Sequence, residues 1–243
     1  MTVILDDGER VADLPSDPAT AARVVRIEGN ADLRGYAHPL PALRRIDGWA
    51  ILRDYAHALP DGLIVGGWLD LTGCTGLTAL PAALSVGGSL YMRGCTGLTA
   101  LPDGLTVRGA LDLRDCAALA ALPPGLTVDG YLDLTRCAAL TALPPGLRVG
   151  RSLYLRGCAA LTALPPDLTV GRTLDLRDCT GLAHLCVGAD SRGYRFYSVM
   201  MHDGVHVIAG CRNFTAAQAR AHWPEGTECR ALAEKCIKKG DGT

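Results

Sequence analysis

Large rings are scarce in this 243-residue chain, which has three Trp, seven Tyr and two Phe. That scarcity excludes a core built on aromatic packing and leaves aliphatic side chains, Leu above all, to form it. An excess of charge of either sign is also missing, with 24 Lys and Arg against 25 Asp and Glu for a formal net charge of −1. The balance argues against a basic nucleic-acid wrapper and against an acidic mimic of nucleic acid. No apolar run approaches the roughly 20 residues of a membrane span. The opening Met1-Thr-Val-Ile-Leu-Asp-Asp has no basic region and meets acids at once, so it does not read as a signal peptide. A soluble chain of the cytoplasm is expected, without membrane contact.

What the sequence has in abundance is repetition. Leu-Pro pairs end at Pro60, Pro81, Pro102, Pro123, Pro144 and Pro165, and cysteines fall at Cys74, Cys95, Cys116, Cys137, Cys158 and Cys179, both series stepping by 21 residues. The unit is VxxxLxLxxCxxLxxLPxxLx. A shorter form extends it backwards: Ile27 to Tyr36 and Ile46 to Tyr55 align with Val65 to Cys74, step by 19 residues and carry Tyr in place of Cys. Eight rungs follow, with strands expected near 31–33, 50–52, 69–71, 90–92, 111–113, 132–134, 153–155 and 174–176. At about 4.8 Å per strand the sheet is roughly 35 Å long. A single rung buries too few side chains to offset the ordering of its backbone, so only a stack is stable.

The LxLxxCxxL core, the Leu-Pro pair and the short period resemble the leucine-rich repeat, in its cysteine-containing bacterial form, over about residues 27–186. The resemblance implies an α/β-type repeat solenoid with a parallel sheet on its concave face. It also implies mostly extended convex segments, which Pro123-Pro124, Pro144-Pro145 and Pro165-Pro166 suit. The stretches around Gly210-Cys-Arg-Asn-Phe-Thr and Ala221-His-Trp223 resemble tails on leucine-rich-repeat proteins of phages and proteobacteria.

Both ends of a solenoid need closing. Residues 1–26 are expected to be an N-terminal cap, with Val3-Ile-Leu5 adding a strand and Asp17 to Val25 forming a short helix. Residues 187–243 depart from the repeat and are expected to form a small α+β C-terminal cap. Tyr194–Met201 and Val205–Cys211 flank His202-Asp203-Gly204 as a hairpin. Thr215-Ala-Ala-Gln218 is a capping box that opens one helix, and a second helix is expected over Glu228 to Lys238.

The ladder cysteines occupy one inward position with parallel Cβ vectors, which predicts buried free thiols rather than disulfides. Cys186, Cys211, Cys229 and Cys236 lie near His184, His202, His206 and His222 in sequence, but no CxxC or HxxxH pair supports zinc. No cofactor or metal is expected.

In a strand x-Leu-x-Leu-x the Leu residues face inward and the x residues face out. The outward columns hold Trp49, Trp68 and Tyr131, then Asp70, Tyr91, Asp112, Asp133, Tyr154 and Asp175, then Arg93, Arg114, Arg156 and Arg177. Aromatics interleaved with Arg are the composition of protein-binding hot spots, and these residues are the expected protein-binding site. Cross-strand Asp–Arg and aromatic pairs equally serve to stabilise a sheet. The resemblance implies a protein partner met on the concave face, in a phage- or bacterium-encoded effector or inhibitor that acts in a host-cell cytoplasm if delivered there. An exposed sheet edge offers a route to self-association. Two alternatives rank lower. Some leucine-rich-repeat proteins carry a ubiquitin ligase with a catalytic thiol, but the 57 residues after Cys186 are too few, and Cys211-Arg-Asn lacks that family's Cys-x-Asp. An activated Cys211 near His206 or His222 is the residual enzymatic reading, and no enzyme is expected. Single-stranded nucleic acid would suit Tyr and Arg, but the aspartates beside every Arg column oppose it.

Overall fold

The computed structural model describes residues 1–201, 203–210 and 212–241. Stacked coils run along most of the chain, and each contributes two short strands. One parallel ladder is built from Val24–Glu28, Arg45–Ile46, Ile64–Val65, Ser85–Val86, Thr106–Val107, Thr127–Val128, Arg148–Val149 and Thr169–Val170. The other has eight strands, from Ala31–Asp32 through Leu69–Asp70 and Leu111–Asp112 to Leu174–Asp175.

A single sheet with extended connections was expected, so the first ladder is a correction. Its cause is the β-branched row Ile27, Ile46, Val65, Val86, Val107, Val128 and Val149, which is buried and stacked rung on rung. Between the two strands of a rung the chain turns a corner where neighbouring rungs come close and Gly recurs, although Arg108 and Asp129 take the same position in two rungs. A Cβ on Gly87 would lie 2.1 Å from the carbonyl oxygen of Gly66.

The Leu columns fill the interior, with Leu69, Leu90, Leu111 and Leu132 in one row and Leu71, Leu113, Leu134 and Leu155 in another, all at most 1% exposed. Each ladder thiol donates to a carbonyl of the preceding rung: Cys74 Sγ to Leu52 O at 3.1 Å, Cys137 to Leu113 O at 3.2 Å, Cys179 to Leu155 O at 2.9 Å. In the shorter rungs the phenolic oxygens of Tyr55 and Tyr36 reach back in the same way, to His38 O and Pro15 O.

At the N-terminus, Thr2–Leu5 pairs antiparallel with Val24–Glu28, and Arg10–Val11 pairs with Thr2–Leu5. The helix expected over 17–25 is only one turn, α1 (Pro18–Ala21), capped by Asp17. Val24 and Val25 belong to the strand instead, because β-branched side chains and an open ladder edge favour extension.

Beyond the last rung, Cys186–Ala189, Arg195–Met201, Gly204–Ala209 and Arg212–Thr215 form an antiparallel sheet, followed by α2 (Ala216–His222) and α3 (Glu228–Gly240). Alternation along its strands serves both faces. Tyr197, Val199, Met201 and Ile208 join the solenoid core. Phe196 and Val207 pack with Ala219, Leu232, Ala233, Cys236 and Ile237 beneath the helices. The capping box at Thr215 and Gln218 is present in both directions.

One turn supplies a stability test. Gly62, Gly104, Gly125 and Gly146 are left-handed at the turn after the Leu-Pro pair, and Ala83 is held there at φ 56°. A Cβ in that region costs about 1–2 kcal/mol, and Gly returns about 0.4–1 kcal/mol of it through the unfolded state. Ala83→Gly is therefore expected to stabilise the chain by about 0.5 kcal/mol and Gly125→Ala to destabilise it by a similar amount. Urea unfolding midpoints check this, and a lower midpoint for Ala83→Gly would contradict it.

Candidate functional site

The outward face of the second ladder gathers the residues that the sequence singled out. Trp49 and Trp68 stand on neighbouring rungs with ring centroids 5.0 Å apart and planes 5° from parallel. Tyr91 meets Trp68 edge-on at 6.2 Å, and Tyr131 meets Tyr154 edge-on at 6.3 Å. All five rings are half-buried. Between Trp68 and Tyr131 the first column carries only Ser89 and Ala110, so the row drops from ring to small side chain and rises again. The result is an open depression of about 490 Å³ bounded by Trp68, Tyr91, Tyr131, Arg53, Arg93 and Arg114, with Asp70, Thr72 and Asp112 also lining it.

The charged columns are committed to one another. Asp112 Oδ1 accepts the Arg114 backbone N–H at 3.1 Å, and the Arg114 guanidinium folds back onto the same carboxylate at 2.9 and 2.5 Å. Asp175 and Arg177 repeat this arrangement on the last rung, and Asp32 and Arg34 on the first. Asp70 and Asp133 close the same turn against the N–H groups of Thr72 and Thr135. Arg53 covers Asp70 at 2.6 Å from the neighbouring rung, and Arg114 also reaches Asp133 at 3.6 Å. Arg93 and Arg156 pair with Asp115 and Asp178 in the turns that follow the ladder strands. The aspartates at 32, 70, 112, 133 and 175 are Asx-type braces that end five of the eight strands of this ladder, and Asp70, Asp112 and Asp175 are buried in that role. The Asp-x-Arg/Thr spacing was the available signal; the pairing expected from the sequence was cross-strand, and the brace within one strand was not identified. Little charge is left over to register a partner.

Burial disfavours the thiolate at several of the described cysteines. Burial pushes Cys158 up to about 12 and Cys179 up to about 11, and Cys236, also raised by burial, lies beneath the helices at about 12. Burial, and then the Asp190 carboxylate to which it donates at 3.7 Å, raises Cys229. Cys211 and His202 lie outside the described residues. His206 bridges Asp203 Oδ1 at 2.9 Å and Asn213 Oδ1 at 2.6 Å, within its own hairpin and the next strand. His222 stacks on Phe214. No group of His, Cys, Asp or Glu side chains among the described residues is arranged to hold a metal ion.

Comparison with protein-family profiles, with characterised proteins and with solved structures finds no significant match.

Alkylation tests the thiol geometry. Iodoacetamide at about pH 8, near the ordinary thiol range, is expected to leave Cys95, Cys116 and Cys137 unmodified until global unfolding and then to label them together. Mass spectrometry across a urea series reads this. Labelling of any of them at native far-UV circular dichroism would contradict it.

Proposed function

We propose that the chain is a leucine-rich-repeat-type module whose aromatic ladder face, concave in that fold, binds another protein. The observation that carries the reading is the row Trp49–Trp68–Tyr91 and Tyr131–Tyr154 on a surface whose ionic groups already satisfy each other. The core is aliphatic and does not need these rings. They stand half in water on a rigid ladder, where rings supply contact area at low entropic cost. With the charges neutralised in pairs, the depression between Trp68 and Tyr131 suits an apolar side chain of the partner better than a strand of phosphates, which needs free cations. The 21-residue LxLxxC period, its inward Leu and Cys columns and the parallel ladder support the repeat type.

Substitutions must avoid the braces, since Arg114→Ala would strand the buried Asp112 carboxylate and cost stability whatever the face does. Trp68→Ala and Tyr154→Ala are cleaner: the first gives up two ring contacts and the second one, each worth about 1 kcal/mol. If the face binds, each is expected to weaken the partner's affinity at least about thirtyfold, the scale of a hot-spot truncation, while the chain still melts cooperatively near the wild-type temperature. Affinity capture from the native source, followed by calorimetry with the captured protein, measures it. Undiminished affinity of both folded variants would overturn the proposal.

A further inference from the structure

A second cavity lies in the C-terminal unit, away from the ladder face. It holds about 330 Å³ and is lined by Asp190, Arg192, Tyr194, Phe196, Arg212, Phe214, His222, Trp223 and Cys229, with Ala209 and Gly210. Its wall is a ring cluster. Trp223 lies 4.8 Å from Phe214, 5.1 Å from His222 and 5.3 Å from Phe196, and His222 stacks on Phe214 at 4.8 Å. Tyr194 stands apart from this cluster and is 51% exposed, unusual for a large ring without a partner surface. Gly210 is left-handed at φ 63°, and the Tyr194 ring lies within ordinary van der Waals range of it, 3.5 Å from where a Cβ would stand. The Arg192 guanidinium covers that ring from 5.1 Å.

The polar lining divides into a spent part and a free part. Asp190 is fully engaged: Oδ1 accepts the N–H groups of Arg192 and Tyr194 at 3.1 and 2.9 Å, and Oδ2 accepts Arg192 Nη2 at 2.8 Å and the Cys229 thiol. Its charge is cancelled by Arg192. Arg212 has no such partner. Its side-chain contact is the His222 Nε2 at 3.5 Å, and no carboxylate of the described residues lies within ion-pair distance of it. The cavity therefore combines ring faces with one uncompensated guanidinium at its edge.

We propose that this cavity binds a small planar aromatic anion, its ring against Tyr194 and Trp223 and its anionic group on Arg212. A flat ring complements the wall by stacking. A carboxylate or phosphate is the group a guanidinium holds in two parallel hydrogen bonds. The volume fits a small molecule, at the lower end of the range for ligand sites. The proposal rests on the C-terminal unit alone and does not depend on the reading of the ladder face.

The test titrates the full chain by calorimetry with 2-naphthoate and with adenosine 5′-monophosphate, each beside its neutral counterpart, 2-naphthalenemethanol and adenosine. At least one anion is expected to saturate with a Kd below about 1 mM, and its neutral counterpart to bind at least about tenfold more weakly. Saturation by the naphthoate alone assigns a carboxylate ligand, and by the monophosphate alone a nucleotide. Arg212→Gln is expected to remove that advantage, and Tyr194→Ala to weaken both members of the pair about equally. Both side chains are solvent-facing and outside the packed cluster, so folding, checked by circular dichroism, is expected to survive. The proposal is overturned if neither anion saturates, or if Arg212→Gln binds the anion as tightly as wild type.

Discussion

The structure depends on rungs having their backbone partners in other rungs. In the second ladder Leu69 N–H donates to Ser89 O of the next rung at 2.9 Å and Leu71 N–H to Tyr91 O at 2.7 Å. In the first ladder Gly66 N–H donates to Ile46 O of the preceding rung and Gly87 N–H to Val65 O, both at 2.9 Å. A rung thus satisfies none of its ladder groups by itself and is tied in both directions at once. This arrangement forces the rest. Equivalent residues must superimpose, which turns single positions into columns. The corners must be narrow, so Gly recurs there. The first and last rungs must be covered, which the antiparallel strands at either end do.

Columns make chemistry additive, but they also make it self-satisfying. A carboxylate repeated every rung has repeated neighbours, and wherever Arg sits two residues on, the pair closes on itself, as Asp112 with Arg114 and Asp175 with Arg177. Aromatic rings cannot be satisfied in that sense. Stacking Trp49 on Trp68 still leaves ring surface toward solvent, and on this ladder face rings rather than charges are therefore the residues with unspent binding capacity.

The repeat length, the buried Leu and Cys columns and the placement of the rings on one face were legible because a fixed period maps directly onto stacking. So were the capping box at Thr215 and the start of α3, which are local. The first ladder was not. Its strands are two residues long, and the β-branched row reads as one inward position with no alternation to mark a strand. The brace role of the aspartates was hidden by the same column reading that located them. The Val24–Val25 extension and the two-faced C-terminal sheet are tertiary effects. Nothing local distinguishes Tyr197, which closes the solenoid, from Phe196 beside it, which packs under the helices. The C-terminal cavity draws its wall from strand, loop and two helices far apart in sequence, and no spacing encodes that convergence.

The C-terminal sheet joins the two halves of the molecule's chemistry. Its strands place Tyr197, Val199 and Met201 against the open end of the ladders while Phe196, one residue away, forms part of the cavity wall. Whatever holds the Phe196–Trp223–Phe214 cluster in place also holds the strand that covers the last rung. An occupant of the cavity that favours the folded state would stabilise this closing sheet by mass action, and a solenoid is most vulnerable at its ends. Any such coupling is reciprocal and is set by how many rungs separate the sites. The ladder face lies on rungs tied on both sides, and the C-terminal unit adjoins the last rung, which carries Asp175 and Arg177, with Trp49 and Trp68 lying toward the other end of the stack.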